Sequence, residues 1–392
     1  MVRTSPLKHP ASRSNRSATT CARPFFELIH LHQHINHSSA PACLDGSAPA
    51  FWLRNGEGRD AHKLLVQLQG GGWCDSYDSC HAWKQMSNAK LDRTRCQHLP
   101  RDANLGYEGA RGILSHDSST SAWHNWALAF VRYCDGGAFL GARSEPVRGN
   151  KGLHYHRGRY NLDAALRSAV ARVRPTEVIF GGCSAGGVAA LAHCERVAQM
   201  LSPSGIPVRC IVDAALFPTV NFDPMLELIQ ATQASLPRSC VIAEATHWRA
   251  CVHARHSLQH SSTPTFVVNS LFNWRHGAEP TRYRDIMLEH LRPVLNVSTV
   301  HGAFVSSCDT HCEGSHHWNR VRINGTLMRT AVQRWYFTQS VEKHLDPMTK
   351  PNGNKDCTLT PLQNVKQRVG DTLQDWFINH LGFAPGWSST KQ

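Results

Sequence analysis

A serine flanked by small residues is the strongest sign of chemistry in this sequence. Ser184 lies in the pentapeptide Gly182–Gly186 (GCSAG), which has the form Gly-x-Ser-x-Gly. Strand-forming residues precede it at Glu177–Phe180, and a helical pattern follows it. A tight strand-to-helix turn exposes a hydroxyl and directs free N–H groups toward developing negative charge. The pattern therefore predicts a nucleophile at Ser184, while a turn that only packs or holds a phosphate is the alternative.

A glycine-rich segment upstream could supply the main-chain donors that such a nucleophile needs. Three consecutive glycines and Trp73 follow the apolar run Lys63–Leu68. Glycine allows the backbone to approach a substrate closely, because it has no side chain in the way. We expect the main-chain N–H groups of Gly72, Trp73 and Ala185 to form an oxyanion hole.

A serine hydroxyl also needs a base, because it is a poor nucleophile until an imidazole takes its proton. In chain order the histidine is expected after the serine and after the acid. The chain contains 25 histidines, and several qualify by position. His311 is the preferred candidate, since the flanking Cys308 and Cys312 could fix its loop.

The elements that must position these groups alternate between strand and helix, which is typical of an α/β fold with a mainly parallel central sheet flanked by helices. Helices are predicted at Asn161–Val173, at Gly187–Leu201 and near Leu327–Phe337. The predicted strands are Lys63–Leu68, Ala127–Tyr133, Glu177–Phe180, Val208–Val212 and Thr265–Asn269.

The predicted organisation is one large domain behind a polar leader. Residues 1–40 are rich in Ser and His and are expected to form a disordered leader or targeting segment. Residues 41–385 are expected to form a single catalytic domain. Within it, Asp75–Asp117 is predicted to be a loop-rich insertion that could serve as a lid. Residues 345–360 are rich in Pro, Asn, Gly and Lys, and Leu362–Leu381 has an amphipathic pattern.

Composition narrows the classes of partner. The formal net charge is +13, which favours polyanions such as an acidic polysaccharide, but there is no nucleic-acid-binding motif. No apolar run is long enough to span a membrane. The histidines lack an HExxH or similar metal-binding spacing, so no cofactor or metal is expected. We expect a monomer.

Cysteine usage points to an oxidising compartment. The 14 cysteines are an even number, and most are scattered singly, which indicates disulfides. Four glycosylation sequons indicate the same compartment, at Asn15, Asn36, Asn296 and Asn324. Secretion to the cell wall is expected, although residues 1–26 lack the apolar core of a signal peptide. An organellar transit peptide, a disordered extension and a wrongly chosen start codon are the alternatives for this segment.

At these residues the chain resembles the pectin acetylesterase family of plants, which is related to the animal carboxylesterase Notum. Six motifs match in the family's order, between Ala40 and about Phe337. They are ACLDGS (42–47), QGGGWC (69–74), RYCDG (132–136), GCSAGG (182–187), VDA (212–214) and SCDTHC (307–312). The resemblance implies a secreted, α/β-hydrolase-like esterase that removes acetyl groups from pectin through a Ser–His–Asp triad. It implies Ser184 as the nucleophile and His311 as the base. Gln69 stands where plant members tend to have Glu.

The third triad position departs from the family pattern. Where the family has a segment resembling Tyr-Asp-x-Trp-Gln, this chain has Asn269–Arg275 (NSLFNWR), with Asn273 at the place of the acid. Three interpretations stay open. Asn273 orients the base well enough for slow ester cleavage, or a neighbouring acid such as Asp309 or Glu279 replaces it, or catalysis has been lost and glycan binding kept.

Three functions therefore compete. The leading hypothesis is a serine esterase that deacetylates pectin or a related acidic cell-wall polysaccharide. A Notum-like lipid deacylase would need a deep apolar pocket beside Ser184. A catalytically silent glycan-binding protein is the hypothesis from a different class, and Asn273 is the feature that motivates it.

Overall fold

A ten-stranded mixed sheet forms the centre of the computed structural model, which describes residues 26–31, 39–91, 98–99, 111–149, 151–272 and 279–357. The strand order is β14-β11-β10-β9-β8-β3-β5-β2-β1-β4. The strands from β14 to β5 in this order run parallel, and β2, β1 and β4 pair antiparallel at one edge. The sheet strands are β1 Phe26–His30, β2 Ala50–Arg54, β3 Lys63–Leu68, β4 His98–Leu99, β5 Ala127–Val131, β8 Glu177–Cys183, β9 Val208–Asp213, β10 Thr265–Phe272, β11 Gly302–Asp309 and β14 Lys343–Leu345; β6 Val147–Gly149 pairs with β7 Gly152–His154, and β12 Arg322–Ile323 with β13 Thr326–Leu327.

Nine α-helices occur among the described residues, and none of them is both long and apolar enough to cross a membrane. The longest, α3, follows β8 directly and is buried along most of its length. The helices are α1 Tyr77–Leu91, α2 Gly158–Val173, α3 Ala185–Leu201, α4 Asp223–Leu228, α5 Arg238–Glu244, α6 Ala254–His260, α7 Pro280–Arg292, α8 Glu313–His316 and α9 Met328–Gln333.

The predicted fold class is confirmed. All five predicted strands are present, and three of them extend further toward their carboxyl ends than the sequence pattern indicated: β8, β9 and β10. The predicted helices Asn161–Val173 and Gly187–Leu201 are present as α2 and α3. The helix predicted near Leu327–Phe337 corresponds to α9 and the π-helical turn Arg334–Thr338 that follows it. Because β3, β8, β9, β10 and β11 are parallel, the loops after them meet at one edge of the sheet.

The structure differs from the prediction at Asp75–Asp117. The first part of this segment is not a loop, because residues 77–91 form α1. Ser76 explains where the helix begins: its hydroxyl accepts a hydrogen bond from Ser79 N at 3.2 Å, as a helix N-cap does. The disulfide Cys74–Cys80 also fixes this first turn.

Two further predicted segments have different outcomes. Phe26–His30 pairs with β2 in the sheet, so the ordered fold includes residues that precede the predicted boundary at residue 41. The predicted amphipathic segment Leu362–Leu381 lies outside the described residues.

The expected disulfides are present, since twelve of the 14 cysteines form six pairs. Cys21 and Cys96 lie outside the described residues. The pairs are Cys43–Cys134, Cys74–Cys80, Cys183–Cys312, Cys194–Cys210, Cys240–Cys251 and Cys308–Cys357.

Candidate active site

Ser184 lies in the turn between β8 and α3, and its backbone is strained there. Its φ is 59° and its ψ is −125°, a conformation that residues with a side chain rarely adopt. Its N–H donates to the Asp213 carbonyl oxygen at 3.0 Å, and its carbonyl oxygen accepts from Val188 N at 2.9 Å. The side chain is partly exposed, while both flanking residues are buried. The turn therefore presents the hydroxyl at the carboxyl edge of the sheet.

We expect glycine at position 184 to stabilise the fold relative to alanine by about 1 kcal/mol. Neither residue has the hydroxyl, but only glycine adopts φ 59° and ψ −125° without strain. Relief of strain is worth about 1–3 kcal/mol, and the lower entropy of unfolded alanine offsets part of it. Urea unfolding of the Ser184→Gly and Ser184→Ala proteins measures the difference. A Ser184→Gly protein less stable than the alanine variant would contradict the strained turn.

The glycine-rich segment lies against this turn. A Cβ on Gly70 would be 2.7 Å from the Cys183 carbonyl oxygen and 3.0 Å from Ser184 Cβ, so only glycine fits there. Gly72 has a φ of +67°, in the region that favours glycine. The segment predicted to provide oxyanion donors is thus adjacent to the predicted nucleophile.

Two buried aromatic residues fix the orientation of that segment. Trp83 Nε1 donates to the Gly71 carbonyl oxygen at 3.0 Å, and the Tyr133 hydroxyl donates to the Gly72 carbonyl oxygen at 2.8 Å. In a trans peptide the C=O and the following N–H point in opposite directions. The N–H groups of Gly72 and Trp73 are therefore directed away from these two side chains.

The state of the Tyr133 hydroxyl supports this arrangement. Burial, and then the nearby Asp135 carboxyl, raise the pKa of Tyr133 well above its usual value. The hydroxyl therefore remains a proton donor to Gly72, and it also accepts from Ala138 N at 2.8 Å. Gln69 accepts from Tyr133 N at 3.2 Å through its side-chain oxygen.

His311 lies on the loop that joins β11 to α8 and is 9% exposed. The next residue, Cys312, forms a disulfide with Cys183, the residue before Ser184. A ring nitrogen of His311 is within 4.8 Å of the Cys183 sulfur. The structure thus brings the predicted nucleophile and the predicted base to the same place, although they are 127 residues apart in sequence (311 − 184).

Asn273 lies outside the described residues, and so do Trp274 and Arg275. The two acids considered as replacements are described. Glu279 caps α7, since its exposed carboxylate accepts from Thr281 N at 3.1 Å and from Arg282 N at 2.9 Å. Asp309 ends β11 and pairs in register with Phe272 of β10, so it lies beside the strand that leads to position 273.

Asp213 is a feature of the site to which the sequence analysis assigned no role. It is 8% exposed at the end of β9. Its carboxylate accepts from Glu313 N at 3.0 Å and from Gly314 N at 2.8 Å. These are the first two residues of α8, and they directly follow the loop that carries His311, which we call the base loop. Two sequence signals could have found it: a polar residue ends a buried strand at the loop edge, and Asp213 lies in the motif VDA (212–214).

Two groups of metal-ligand residue types occur among the described residues, but each includes sulfur atoms that are bonded to sulfur. In the first, Cys183 and Cys312 form a disulfide beside His311. In the second, Cys308 forms a disulfide with Cys357, and only Glu313 and His317 remain. A disulfide sulfur is not a thiolate, which is the form that binds metals.

An aromatic cluster made of Trp73, Phe217 and Phe222 adjoins the base. Ring centroids are 5.2 Å apart for Trp73 and Phe217 and 5.1 Å apart for Trp73 and Phe222. The Phe217 ring is 6.2 Å from the His311 ring. All three aromatic side chains are at most 8% exposed. They form an apolar wall between the glycine-rich segment and the base loop.

Comparison with known proteins gives consistent results. Residues 25–279, more than half of the chain, match the family model described as pectinacetylesterase. The chain is 28% identical over 371 residues to pectin acetylesterase 11 of Arabidopsis thaliana, covering 82% of this chain and 90% of that protein. It is 24% identical over 411 residues to the human palmitoleoyl-protein carboxylesterase Notum, covering 92% and 79% respectively.

A solved structure shares the fold. The Wnt deacylase Notum from Drosophila superimposes with a TM-score of 0.71 at 21% identity. The match covers 85% of this chain and 100% of that one. The two molecules therefore share the same overall fold.

Proposed function

This chain belongs to the pectinacetylesterase family and is a carboxylic ester hydrolase, and from this premise we propose that it removes O-acetyl groups from pectin or a related acidic cell-wall polysaccharide. Ser184 is the proposed nucleophile and His311 the proposed base. The observation that carries the proposal is the disulfide Cys183–Cys312, which joins the residue before Ser184 to the residue after His311.

In the proposed reaction His311 takes the proton of the Ser184 hydroxyl as the oxygen attacks the acetyl carbonyl. The N–H groups of Gly72, Trp73 and Ala185 stabilise the oxyanion that forms. As the bond between the acetyl carbon and the sugar oxygen breaks, His311 gives its proton to that oxygen, so the sugar leaves with a free hydroxyl and an acetyl-enzyme remains. Water, activated by the same imidazole, releases acetate and restores the serine.

Asn273 is the proposed third member and orients the His311 ring. An amide holds an imidazole less well than a carboxylate and does not neutralise the imidazolium. Esters are easier to cleave than amides, so slow turnover is compatible with this arrangement. The capping hydrogen bonds of Glu279 favour Asp309 over Glu279 as the acid that could take this role instead.

The aromatic cluster supports a small acyl group. Trp73, Phe217 and Phe222 pack against one another beside His311 and are nearly fully buried. A long acyl chain would have to separate these rings, whereas an acetyl group needs little room. The net charge of +13 supports an acidic polymer, because a basic surface attracts polyuronate.

The setting proposed for the enzyme is outside the cell, as a monomer. Six disulfides are typical of proteins that fold in an oxidising compartment. Size-exclusion chromatography on a calibrated column tests whether the protein is a monomer. Recovery of the protein from the culture medium, identified by its mass, tests whether it is secreted.

We expect the protein to prefer acetyl over octanoyl esters by about ten-fold or more in kcat/KM, because chain-length preference reports pocket depth. The measurement compares p-nitrophenyl acetate with p-nitrophenyl octanoate, and acetate release from acetylated pectin tests the polymer. De-acetylated pectin is the control, since it should release none.

Other outcomes would favour the other functions. A preference for octanoyl esters without acetate release from pectin would overturn the proposal in favour of lipid deacylation. Undetectable hydrolysis of every ester, together with binding to de-esterified pectin that weakens with salt, would identify a silent glycan-binding protein.

A further inference from the structure

Asp213 lies between the turn that carries Ser184 and the loop that carries His311. Its main-chain carbonyl oxygen accepts from Ser184 N at 3.0 Å. Its carboxylate oxygens accept from the first two residues of α8, which directly follow the loop, at 3.0 Å from Glu313 N and at 2.8 Å from Gly314 N. One buried residue thus contacts both halves of the proposed catalytic machinery, and its side chain contacts the residues that directly follow the base loop.

The base loop needs such an anchor. Cys312 has a φ of 57° and a ψ of 58°, a left-handed conformation that is strained for a residue with a side chain. The disulfide to Cys183 holds this residue from one side. The two amides that bind Asp213 follow His311 by two and three residues, so they hold the loop just beyond its turn.

The other buried acid near the base loop is Glu313, the first residue of α8, and its carboxyl does not take this role. Burial raises the pKa of Glu313 to about 8, so its carboxyl is protonated at neutral pH. It accepts from the Ser306 hydroxyl and lies 3.5 Å from His317 Nδ1. Its side chain therefore packs behind the loop, and only its main-chain N–H faces Asp213.

We propose that Asp213 is a positioning residue for His311: through the amides of Glu313 and Gly314 it holds the base loop against the Ser184 turn. This inference rests on the proposed function. Asp213 does not touch the substrate; it sets the place of the group that does. The loss of its carboxylate therefore slows the chemical step and leaves substrate binding nearly unchanged.

A double-mutant cycle with His311 tests this role. We expect Asp213→Asn to lower kcat for p-nitrophenyl acetate by about 10–100-fold with KM changed less than about three-fold, since a small misplacement of a catalytic group costs up to about this much. In a His311→Ala background the same substitution should have no further effect on the rate, because the group that it positions is already gone.

A merely structural role would give a different result. Asp163→Asn is the matched control, since Asp163 is also a buried acid and pairs with Arg196 at 2.6 Å, away from the base loop. It should lower the melting temperature without changing kcat. An equal loss from Asp213→Asn in the wild-type and His311→Ala backgrounds would overturn the inference, and so would an unchanged kcat in the wild-type background.

A second variant covers the case in which Asp213→Asn does not fold. A Cβ on Gly314 would lie 2.9 Å from the nearer carboxylate oxygen of Asp213, so Gly314→Ala disturbs the same contact while keeping the Asp213 side chain. It should lower kcat in the wild-type background only. If Ser184→Ala leaves hydrolysis unchanged, both the proposed function and this inference fail. If Ser184→Ala and His311→Ala strongly lower the rate of hydrolysis while both Asp213→Asn and Gly314→Ala are fully active, the inference alone fails.

Discussion

Replacement of Ser184 by alanine is expected to lower kcat/KM for p-nitrophenyl acetate by at least about a thousand-fold, because the proposed acyl-enzyme forms on the Ser184 hydroxyl. The residual rate is that of an oxyanion hole without a nucleophile. The turn keeps its place, since alanine adopts the same strained backbone at the same cost. Steady-state kinetics at saturating and limiting substrate measure the loss, and unchanged thermal unfolding shows that the fold is intact.

Ser202→Ala is the matched control. Ser202 is an exposed serine that follows the carboxyl end of α3, the helix that Ser184 precedes. Its substitution should leave the rate unchanged. A fluorophosphonate probe should label the wild-type protein once, on the peptide that contains Ser184, and should not label the Ser184→Ala protein. Full activity in that variant, or labelling at a different serine, would remove Ser184 from the mechanism.

The local parts of the site could be predicted from sequence because short-range sterics determine them. The turn at Ser184 needs small neighbours between a strand and a helix, and the pentapeptide Gly182–Gly186 provides them. The glycines at 70–72 are explained in the same way, since a Cβ on Gly70 would meet the Cys183 carbonyl oxygen. The β8 strand and the α3 helix have strong patterns of their own, so their existence was also evident.

The long-range parts could not be predicted from residue patterns. Twelve cysteines can pair in thousands of ways, and only the fold selects Cys183–Cys312 across 129 residues. The role of Asp213 depends on two amides that are about 100 residues further along the chain. The helix α1 was missed because its apolar residues form no clear stripe, although Ser76 gave a capping signal. The strand β1, which pairs with β2 and β4, lies in a segment whose composition resembles a leader.

Restoring an acid by Asn273→Asp is expected to raise kcat by about ten-fold or more, since the reverse change in a serine protease costs about ten-thousand-fold. The register of the sheet gives the physical reason. Phe272 pairs with Asp309, the last residue of the strand that leads into the His311 loop. Phe272, the last described residue before position 273, therefore ends β10 beside the start of the loop that carries His311. A carboxylate at position 273 is expected to stabilise the imidazolium. The rate of p-nitrophenyl acetate hydrolysis measures the gain.

Asp309→Asn tests which residue acts as the third member of the triad, Asn273 or Asp309. If Asn273 fills the third position, Asp309→Asn changes the rate little, and Asn273→Asp raises it in both backgrounds. If Asp309 has taken over, its substitution alone lowers the rate strongly and Asn273→Asp restores much of it. Asn273→Ala controls for loss of the amide, and it should be slower than the wild type in the first case only. An Asn273→Asp protein no faster than the wild type would contradict the expectation that the amide limits turnover, because the site would then gain nothing from the added carboxylate.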